Sequence, residues 1–420
     1  MTETKYLILG AGAASSWAVR GIRQEDKEGD IAIVGKESYR TYSLPLLSKG
    51  FIQGRYPEDK IFTVKEDFYE SNGVTFINNN GASSINTENK IVQLENGDEI
   101  SYEKLLICTG GSPLKFNILG NDLRRIYYLR TLDDAKTIKA AAESAKEAVV
   151  IGGSFIGIEL AAALRELGLS VKLLMMEKYP WENLVPSEIG SYFLSLLEEN
   201  GVTIHPEEKV VEFAEENGLA SSVKTESGEV FEGDLFGLGI GIRLNTDFLQ
   251  NSGLDIGKGL VVNEYLETNI PDIYAAGDVA EFAEFNDLIL GLTHLTGHIE
   301  SAQFQGRTAG KNMAGAHEAF SQVTAYDTEI FGNMLMFIGA SQYGDEHIIR
   351  GNTDEPEGSF SFKDGKLIAA LLIKPGGKDI RAVRELIELN DSSLLYYKDI
   401  FSDSRGDLMS LLKELKDPAY

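Results

Sequence analysis

One five-part pattern occurs twice in this chain, and that repetition constrains the fold more than any other feature. In the first copy the apolar run Tyr6-Leu7-Ile8-Leu9 passes at once into Gly10-Ala11-Gly12-Ala13-Ala14-Ser15 and a helical stretch to about Ile22. A second apolar run, Ile31-Ala32-Ile33-Val34, then leads to Glu37. In the second copy Ala148-Val149-Val150-Ile151 is followed by Gly152-Gly153-Ser154-Phe155-Ile156-Gly157, a helix to about Leu167, the strand Val171-Lys172-Leu173-Leu174, and Glu177. Strand, glycine turn, helix, strand and acid, in that order, describe a dinucleotide-binding βαβ unit. The glycines let a pyrophosphate approach backbone N–H groups at the positive end of a helix, and the acid binds ribose hydroxyls. Neither copy is perfect. Ser15 stands at the third glycine position of the first and Ser154 at the middle position of the second, but two degenerate copies in matched contexts support two sites where one would be weak.

Each copy is followed by short alternating strands around a turn, Glu95-Asn96-Gly97 in one and Glu226-Ser227-Gly228 in the other, as expected of a small meander. These close on Leu105 to Gly111 and on Asp234 to Gly241. From about Tyr326 the nucleotide signals stop. New strands follow, with Ser359-Phe360-Ser361-Phe362 joined to Leu367–Ile373 through Asp364-Gly365, a hairpin signature. Leu408, Leu411, Leu412 and Leu415 mark a terminal amphipathic helix, expected to dock on the fold rather than on a membrane. The expected fold is therefore α/β, with two Rossmann-like dinucleotide-binding domains and a C-terminal α+β domain.

With 420 residues the chain is long enough for two or three domains. It carries 39 basic and 65 acidic residues, a net charge of −26, which disfavours nucleic acid and anionic membranes as partners. No apolar run of membrane-spanning length and no leader is read, so a cytoplasmic protein is expected, as a monomer or homodimer. Cys108 is the single cysteine, which excludes an intrachain disulfide, a redox dithiol and a cysteine-based metal cluster. No metal site is expected.

The chain resembles the FAD-dependent pyridine nucleotide-disulfide oxidoreductase superfamily, in its branch of ferredoxin, rubredoxin and putidaredoxin reductases with apoptosis-inducing-factor-like proteins. The resemblance is carried by Gly10-Ala11-Gly12, Tyr42 to Lys49, Leu106 to Gly110, Leu129-Arg130-Thr131-Leu132-Asp133-Asp134, Gly152 to Glu159, Ile273 to Ala280 with Gly277-Asp278, and Gln305-Gly306-Arg307. It implies FAD on residues 1–118 and 245–320, an inserted NAD(H) domain at 119–244, and a C-terminal α+β interface domain at 321–420. Cofactor contacts are expected from Gly10, Gly12, Ala13, Ser15, Glu37, Lys49, Ala82, Thr109, Gly110, Arg130, Gly152, Gly153, Ser154, Phe155, Ile156, Gly157, Glu177, Gly241, Gly277 and Asp278. Glu177 favours NADH over NADPH, because a carboxylate repels a 2′-phosphate; Lys172 and Lys178 stand close enough in sequence to blunt that repulsion. Trp181 and Tyr179 either line the nicotinamide cleft or cover a helix end.

Relatives with thiol chemistry carry a cysteine where this chain has Lys49, and a lysine forms neither a sulfenic acid nor a mixed disulfide. Hydride transfer from NADH to FAD without a thiol relay is what remains. Lys49 and Glu159 are the expected catalytic pair, the cation favouring the reduced flavin and the acid pairing with it. Cys108 reads as a structural residue beside the cofactor. His294 and His298 suit either a proton role or a structural one, and Phe331 is the candidate for an aromatic shielding the flavin. Leu44 replaces an arginine that many relatives carry. The acceptor implied is a small electron carrier, rubredoxin or ferredoxin, with Lys49, Arg124, Arg125, Arg307 and Lys311 as candidate docking cations; the net charge argues mildly against an acidic carrier. An NADH redox sensor of the apoptosis-inducing-factor type and the flavin subunit of a nitrite-reductase-like complex stand as alternatives.

Overall fold

A computed structural model describes residues 2–282 and 297–417. The chain divides into two compact units: Met1–Ser43, Glu58–Ser112 and Arg243–Thr324 form the first, and Leu44–Pro57, Pro113–Ile242 and Ala325–Tyr420 the second.

In the first unit the strands Val74–Ile77, Ile31–Val34, Thr2–Leu9 and Glu99–Ile107 lie side by side in parallel, and Ile273–Ala275 joins the last of them. Ile91–Leu94 and Ala82–Asn86 extend the sheet antiparallel. Leu7 stands opposite both Ala32 and Leu105, so the central strand is covered on two edges, and all four residues of Ile31–Val34 are buried. A strand hidden on both faces is uniformly apolar rather than alternating. The helix Ala13–Glu25 buries Ala14, Ala18 and Ile22, a four-residue spacing that keeps one stripe against the core. It lies along Ile299–Met313 at very short range. A Cβ on Gly306 would come within 2.1 Å of the Ala14 carbonyl oxygen, and one on Gly310 within 2.2 Å of that of Ala18.

In the second unit the all-parallel sheet runs Val202–His205, Ser170–Leu174, Glu147–Ile151, Leu235–Leu238, Ile126–Tyr128. The antiparallel strands Val210–Glu216, Leu219–Thr225 and Val230–Glu232 form its meander. The same unit holds a five-stranded antiparallel sheet in the order Ala325–Ile330, Asn333–Gly339, Lys366–Ile373, Pro356–Lys363, Glu346–Gly351. Its Asp364-Gly365 hairpin has both turn residues at positive φ (51° and 80°), as a two-residue turn requires. The terminal helix Leu408–Lys416 buries Leu408, Leu411 and Leu412, and its Lys416 pairs with Glu385 of the helix Gly377–Leu389 at 2.5 Å. It therefore docks on its own unit. Among the described residues no helix is long and apolar enough to cross a membrane.

Candidate active site

The first glycine turn is built by the strand Thr2–Leu9 and held open by backbone contacts. Gly10 has φ 115°, donates its N–H to the Val34 carbonyl at 2.8 Å, and lies so close to the strand beyond that a Cβ would fall 2.2 Å from the Cys108 carbonyl oxygen. No side chain fits there, which fixes glycine by packing alone. Gly12 differs: a Cβ at this exposed position would meet no described protein atom within 4 Å. Packing leaves Gly12 free to vary, so its place ahead of the N-terminus of Ala13–Glu25 fits close approach of a pyrophosphate. Ser15 is fully buried and donates its hydroxyl to the Gly12 carbonyl at 2.7 Å.

Other expected residues of this unit gather on the same sheet. Glu37 follows the strand Ile31–Val34, and its carboxylate accepts from the Tyr42 hydroxyl at 2.6 Å. Thr109 and Gly110 follow Glu99–Ile107, with Gly110 at φ 62°. Asn245 clamps that turn: its Nδ2 donates to the Thr109 carbonyl at 2.9 Å, while its own carbonyl accepts from the Thr109 hydroxyl at 2.9 Å. Gly277 and Asp278 follow the strand Ile273–Ala275, and the Gly277 N–H is held by Gln305 Oε1 at 2.8 Å. Ala82 is half-buried at the start of an outer strand, opposite Leu94. Cys108 is 8% exposed, and burial pushes its thiol up to about 12, which keeps it protonated and unreactive. His298 stands at the N-terminus of the helix Ile299–Met313; His294 lies outside the described residues.

The second glycine turn repeats the first with its side chains redistributed. Gly152 has φ 125°, donates to the Leu174 carbonyl at 2.8 Å, and a Cβ would fall 2.3 Å from the Gly239 carbonyl oxygen. At Gly157 a Cβ would fall 2.0 Å from the Gly152 carbonyl oxygen, so here the third glycine is imposed by the turn itself. Ser154 is exposed at the N-terminus of the helix Phe155–Glu166, and its side chain makes no capping bond. Glu177 lies against this turn, its Oε2 being 2.6 Å from where a Gly153 Cβ would sit. A carboxylate beside the glycine turn is the arrangement that binds ribose hydroxyls. Lys172 is committed elsewhere, to Glu147 Oε2 at 3.2 Å and the Glu232 carbonyl at 3.1 Å, and Lys178 is exposed.

Trp181 is 3% exposed at φ 57° and packs on Phe155, Phe193 and Phe337 with ring centroids 5.1–5.8 Å apart. It covers the start of the helix Phe155–Glu166, and Tyr179 lies over Gly190 of the helix Ser187–Glu199. Arg130 precedes the helix Leu132–Ala142, its backbone N–H donating to Asp134 within the N-terminal capping box. Gly241 has φ 107° and accepts from the Leu114 N–H. Phe331 occupies, at φ 47°, the turn between Ala325–Ile330 and Asn333–Gly339.

The most unusual group is Glu159. It sits among Ile158, Leu160, Ala161, Ala162, Ala163 and Leu164, all buried, and its side chain is itself only 6% exposed. An unpaired carboxylate in such a place costs several kcal/mol, and three neighbours offset that cost. The Ser48 hydroxyl donates to Oε2, the Thr328 hydroxyl donates to Oε1 at 2.6 Å, and Lys49 Nζ stands 3.7 Å from Oε1. Burial still raises the Glu159 carboxyl above its ordinary range, with the Lys49 cation and the two hydroxyls pulling it back. Lys49 is 8% exposed in its side chain and so is withdrawn from any surface patch; its shortest bonds are to Asp327, at 2.6 Å to the carbonyl and 2.9 Å to the carboxylate. The segment carrying Ser48 and Lys49, a widened helical turn at Leu47–Phe51, is fastened within the second unit. Arg55 reaches Glu166 (3.4 Å) and Glu329 (3.6 Å), and Lys139 donates to the Phe51 carbonyl at 3.2 Å.

Sequence reasoning missed Asn245, Asp327 and Thr328. Their partners lie far away in the chain, and nothing local marks them. Of the remaining candidate docking cations, Lys311 pairs with Glu318 at 2.5 Å and Arg307 reaches Gln24 at 3.3 Å.

The family model for pyridine nucleotide-disulphide oxidoreductases matches residues 4–309. Apoptosis-inducing factor 3 of Mus musculus is 30% identical over 358 residues, covering 84% of this chain and 58% of its own length, so the chain spans little more than half of that relative. An NADH-rubredoxin oxidoreductase of Clostridium acetobutylicum is 32% identical over 323 residues, covering 77% of this chain and 78% of that protein. Among solved structures, a ferredoxin reductase of Rhodopseudomonas palustris superposes with a TM-score of 0.91 at 26% identity, over 97% of this chain and 100% of the other. The two glycine turns, each with its acid, and the family match over most of the sequence lead to one assignment: the chain belongs to the pyridine nucleotide-disulphide oxidoreductase family, a class of FAD- and NAD(H)-dependent enzymes.

Proposed function

We propose that the chain is an NADH-dependent flavoprotein reductase of the non-thiol type, which passes electrons to a small redox protein such as rubredoxin or ferredoxin. In this reading FAD belongs to residues 1–118 and 245–320, NAD(H) to 119–244, and 321–420 is an interface domain; the protein works in the cytoplasm. FAD, when bound, supplies the hydride acceptance and electron release. The chain supplies position and charge. Gly10 and Gly12 admit a pyrophosphate to backbone N–H groups, Glu37 and Glu177 hold riboses, and the Thr109–Gly110 and Gly277–Asp278 turns seat the flavin end of the cofactor.

The observation that carries the reading is the buried Lys49–Glu159 pair. A cation kept dry beside a carboxylate, on the position where thiol-dependent relatives place cysteine, suits stabilisation of a reduced flavin and has no evident structural purpose that an apolar pair would not serve better. NADH fits the second site better than NADPH, because Glu177 lies against the turn and Lys172 is engaged with Glu147. Lys49→Met in the FAD-loaded protein is expected to slow anaerobic NADH-to-flavin reduction by about 10- to 100-fold, in the range of a lost electrostatic contact, as read by stopped-flow absorbance. An unchanged rate sinks the assignment of Lys49 and Glu159.

The likeness to apoptosis-inducing factor 3 favours a second reading, an NADH sensor whose reduced complex is long-lived and alters association with a partner. Adding rubredoxin or ferredoxin to the NADH-reduced protein separates the two. Rapid reoxidation supports the reductase; a persistent long-wavelength band with a change in oligomer size supports the sensor.

A further inference from the structure

Lys49 has two carboxylates before it and treats them differently. Its ammonium lies 2.9 Å from Asp327 Oδ2 and 2.6 Å from the Asp327 carbonyl, both within the range of charge-assisted hydrogen bonds, but 3.7 Å from Glu159 Oε1, beyond it. The strand Ala325–Ile330 makes this division. Successive residues of a strand face opposite sides, and here the half-exposed Asp327 takes the Lys49 cation while the buried Thr328 gives its hydroxyl to Glu159. Of the other charged groups on these elements, Arg55 of the Leu44–Pro57 segment pairs with Glu166 of the helix and Glu329 of the strand, and Arg165 of the helix donates to the Asn200 and Leu169 carbonyls; Lys139, from the helix Leu132–Ala142, donates to the Phe51 carbonyl.

We propose that Asp327 is a positioning residue for flavin reduction: by holding the Lys49 ammonium on itself it sets how much positive charge Lys49 presents, and leaves the Glu159 carboxyl to its two hydroxyl donors. The inference rests on the reading of Lys49 and Glu159 given above. Asp327 contributes a negative charge to the device, 2.9 Å from the Lys49 ammonium. With Asp327 ionised, Lys49 and Asp327 form a neutral pair, and Glu159 feels a partly cancelled cation. Removing the Asp327 charge leaves Lys49, still bonded to the Asp327 carbonyl, an uncancelled cation beside Glu159, which favours the ionised carboxylate, and a fuller cation toward a reduced flavin.

Asp327→Asn is the test, because it keeps the backbone carbonyl that tethers Lys49 and removes only the charge. In the FAD-loaded protein the transition in the pH profile of NADH-dependent flavin reduction should move to lower pH by about one unit, and the flavin midpoint potential should rise. Asp327→Ser should do the same, which keeps the test alive if the asparagine variant folds poorly, and Asp327→Glu should return the profile toward the parent. In a Lys49→Met background Asp327→Asn should move both readouts less than in the parent, since only the direct repulsion of Asp327 on Glu159 is then lost. Glu329→Gln, which removes a neighbouring acid on the same strand, should leave the profile in place; an equal shift there would reduce the effect to general surface charge and overturn the inference. A parent-like profile and potential in both Asp327→Asn and Asp327→Ser also overturns it. If Lys49→Met slows reduction while those variants change nothing, only the role of Asp327 falls; if Lys49→Met is itself without effect, both readings fall.

Discussion

The two glycine turns solve one steric problem with glycine in different places. Their first glycines are equivalent: Gly10 and Gly152 each have φ above 100° and each lie against the carbonyl of the residue just past a neighbouring strand, Cys108 in one case and Gly239 in the other. Beyond that point they part. The second unit needs its third glycine, Gly157, because the helix Phe155–Glu166 begins directly over the Gly152 carbonyl. The first unit has Ser15 at that position, tied to the Gly12 carbonyl, and places its contact glycines on the partner helix as Gly306 and Gly310. At its Gly12, by contrast, an added Cβ would meet no described protein atom within 4 Å. A fingerprint glycine can therefore serve the fold or the ligand, and only the packing around it tells which.

Substitutions can break this distinction. Gly157→Ala should have the largest effect, about 3 kcal/mol or more of lost stability, since the new methyl overlaps backbone that cannot move without opening the turn. Thermal unfolding of the flavin-free protein would show it; a melting curve matching the parent would remove the contrast between the two turns. Gly12→Ala should come next and act on a different quantity. The flavin-free protein should melt as the parent does, while affinity for FAD falls about tenfold or more, equivalent to about 1.4 kcal/mol, as followed by flavin fluorescence quenching. Loss of stability without loss of affinity would reverse the assignment of Gly12 to the ligand. Ser15→Gly restores the regular fingerprint and should have the smallest effect, a destabilisation of about 1–2 kcal/mol from the lost hydroxyl bond and a glycine in a helix. A gain in stability would mean that the first turn, too, prefers glycine there.

These contrasts separate what was readable in the sequence from what was not. Both βαβ units were legible because strand, turn, helix and acid are contiguous and each part has a local signature. Glu159 was legible because it ends the motif Gly152 to Glu159 that carries the family resemblance, on the helix directly after the second glycine turn. The Asp364-Gly365 hairpin and the terminal helix followed from turn chemistry and periodicity in the same way. Asp327 and Thr328 were not legible: in Ala325-Tyr326-Asp327-Thr328-Glu329-Ile330 they look like the polar positions of any half-exposed strand. Their meaning comes from Lys49 and Glu159, which lie far away in sequence. Asn245 escaped for the same reason, since its partner is the Thr109 turn. Trp181 could be placed near the second turn, but its burial under Phe155 and Phe337 depends on an element encoded much later.

The strap Leu44–Pro57 gives the chain a fixed order of assembly. It emerges early during synthesis, among segments of the first unit, yet its partners Glu159, Glu166, Asp327 and Glu329 emerge much later. Ser48 waits until residue 159 has been made, and the set closes only when Asp327, Thr328 and Glu329 arrive to complete the surroundings of Lys49, Glu159 and Arg55. A fragment that begins after Pro57 would never receive Ser48 and Lys49, so cutting this gene at the apparent boundary between its nucleotide-binding halves should yield a second half with a charge stranded in its interior.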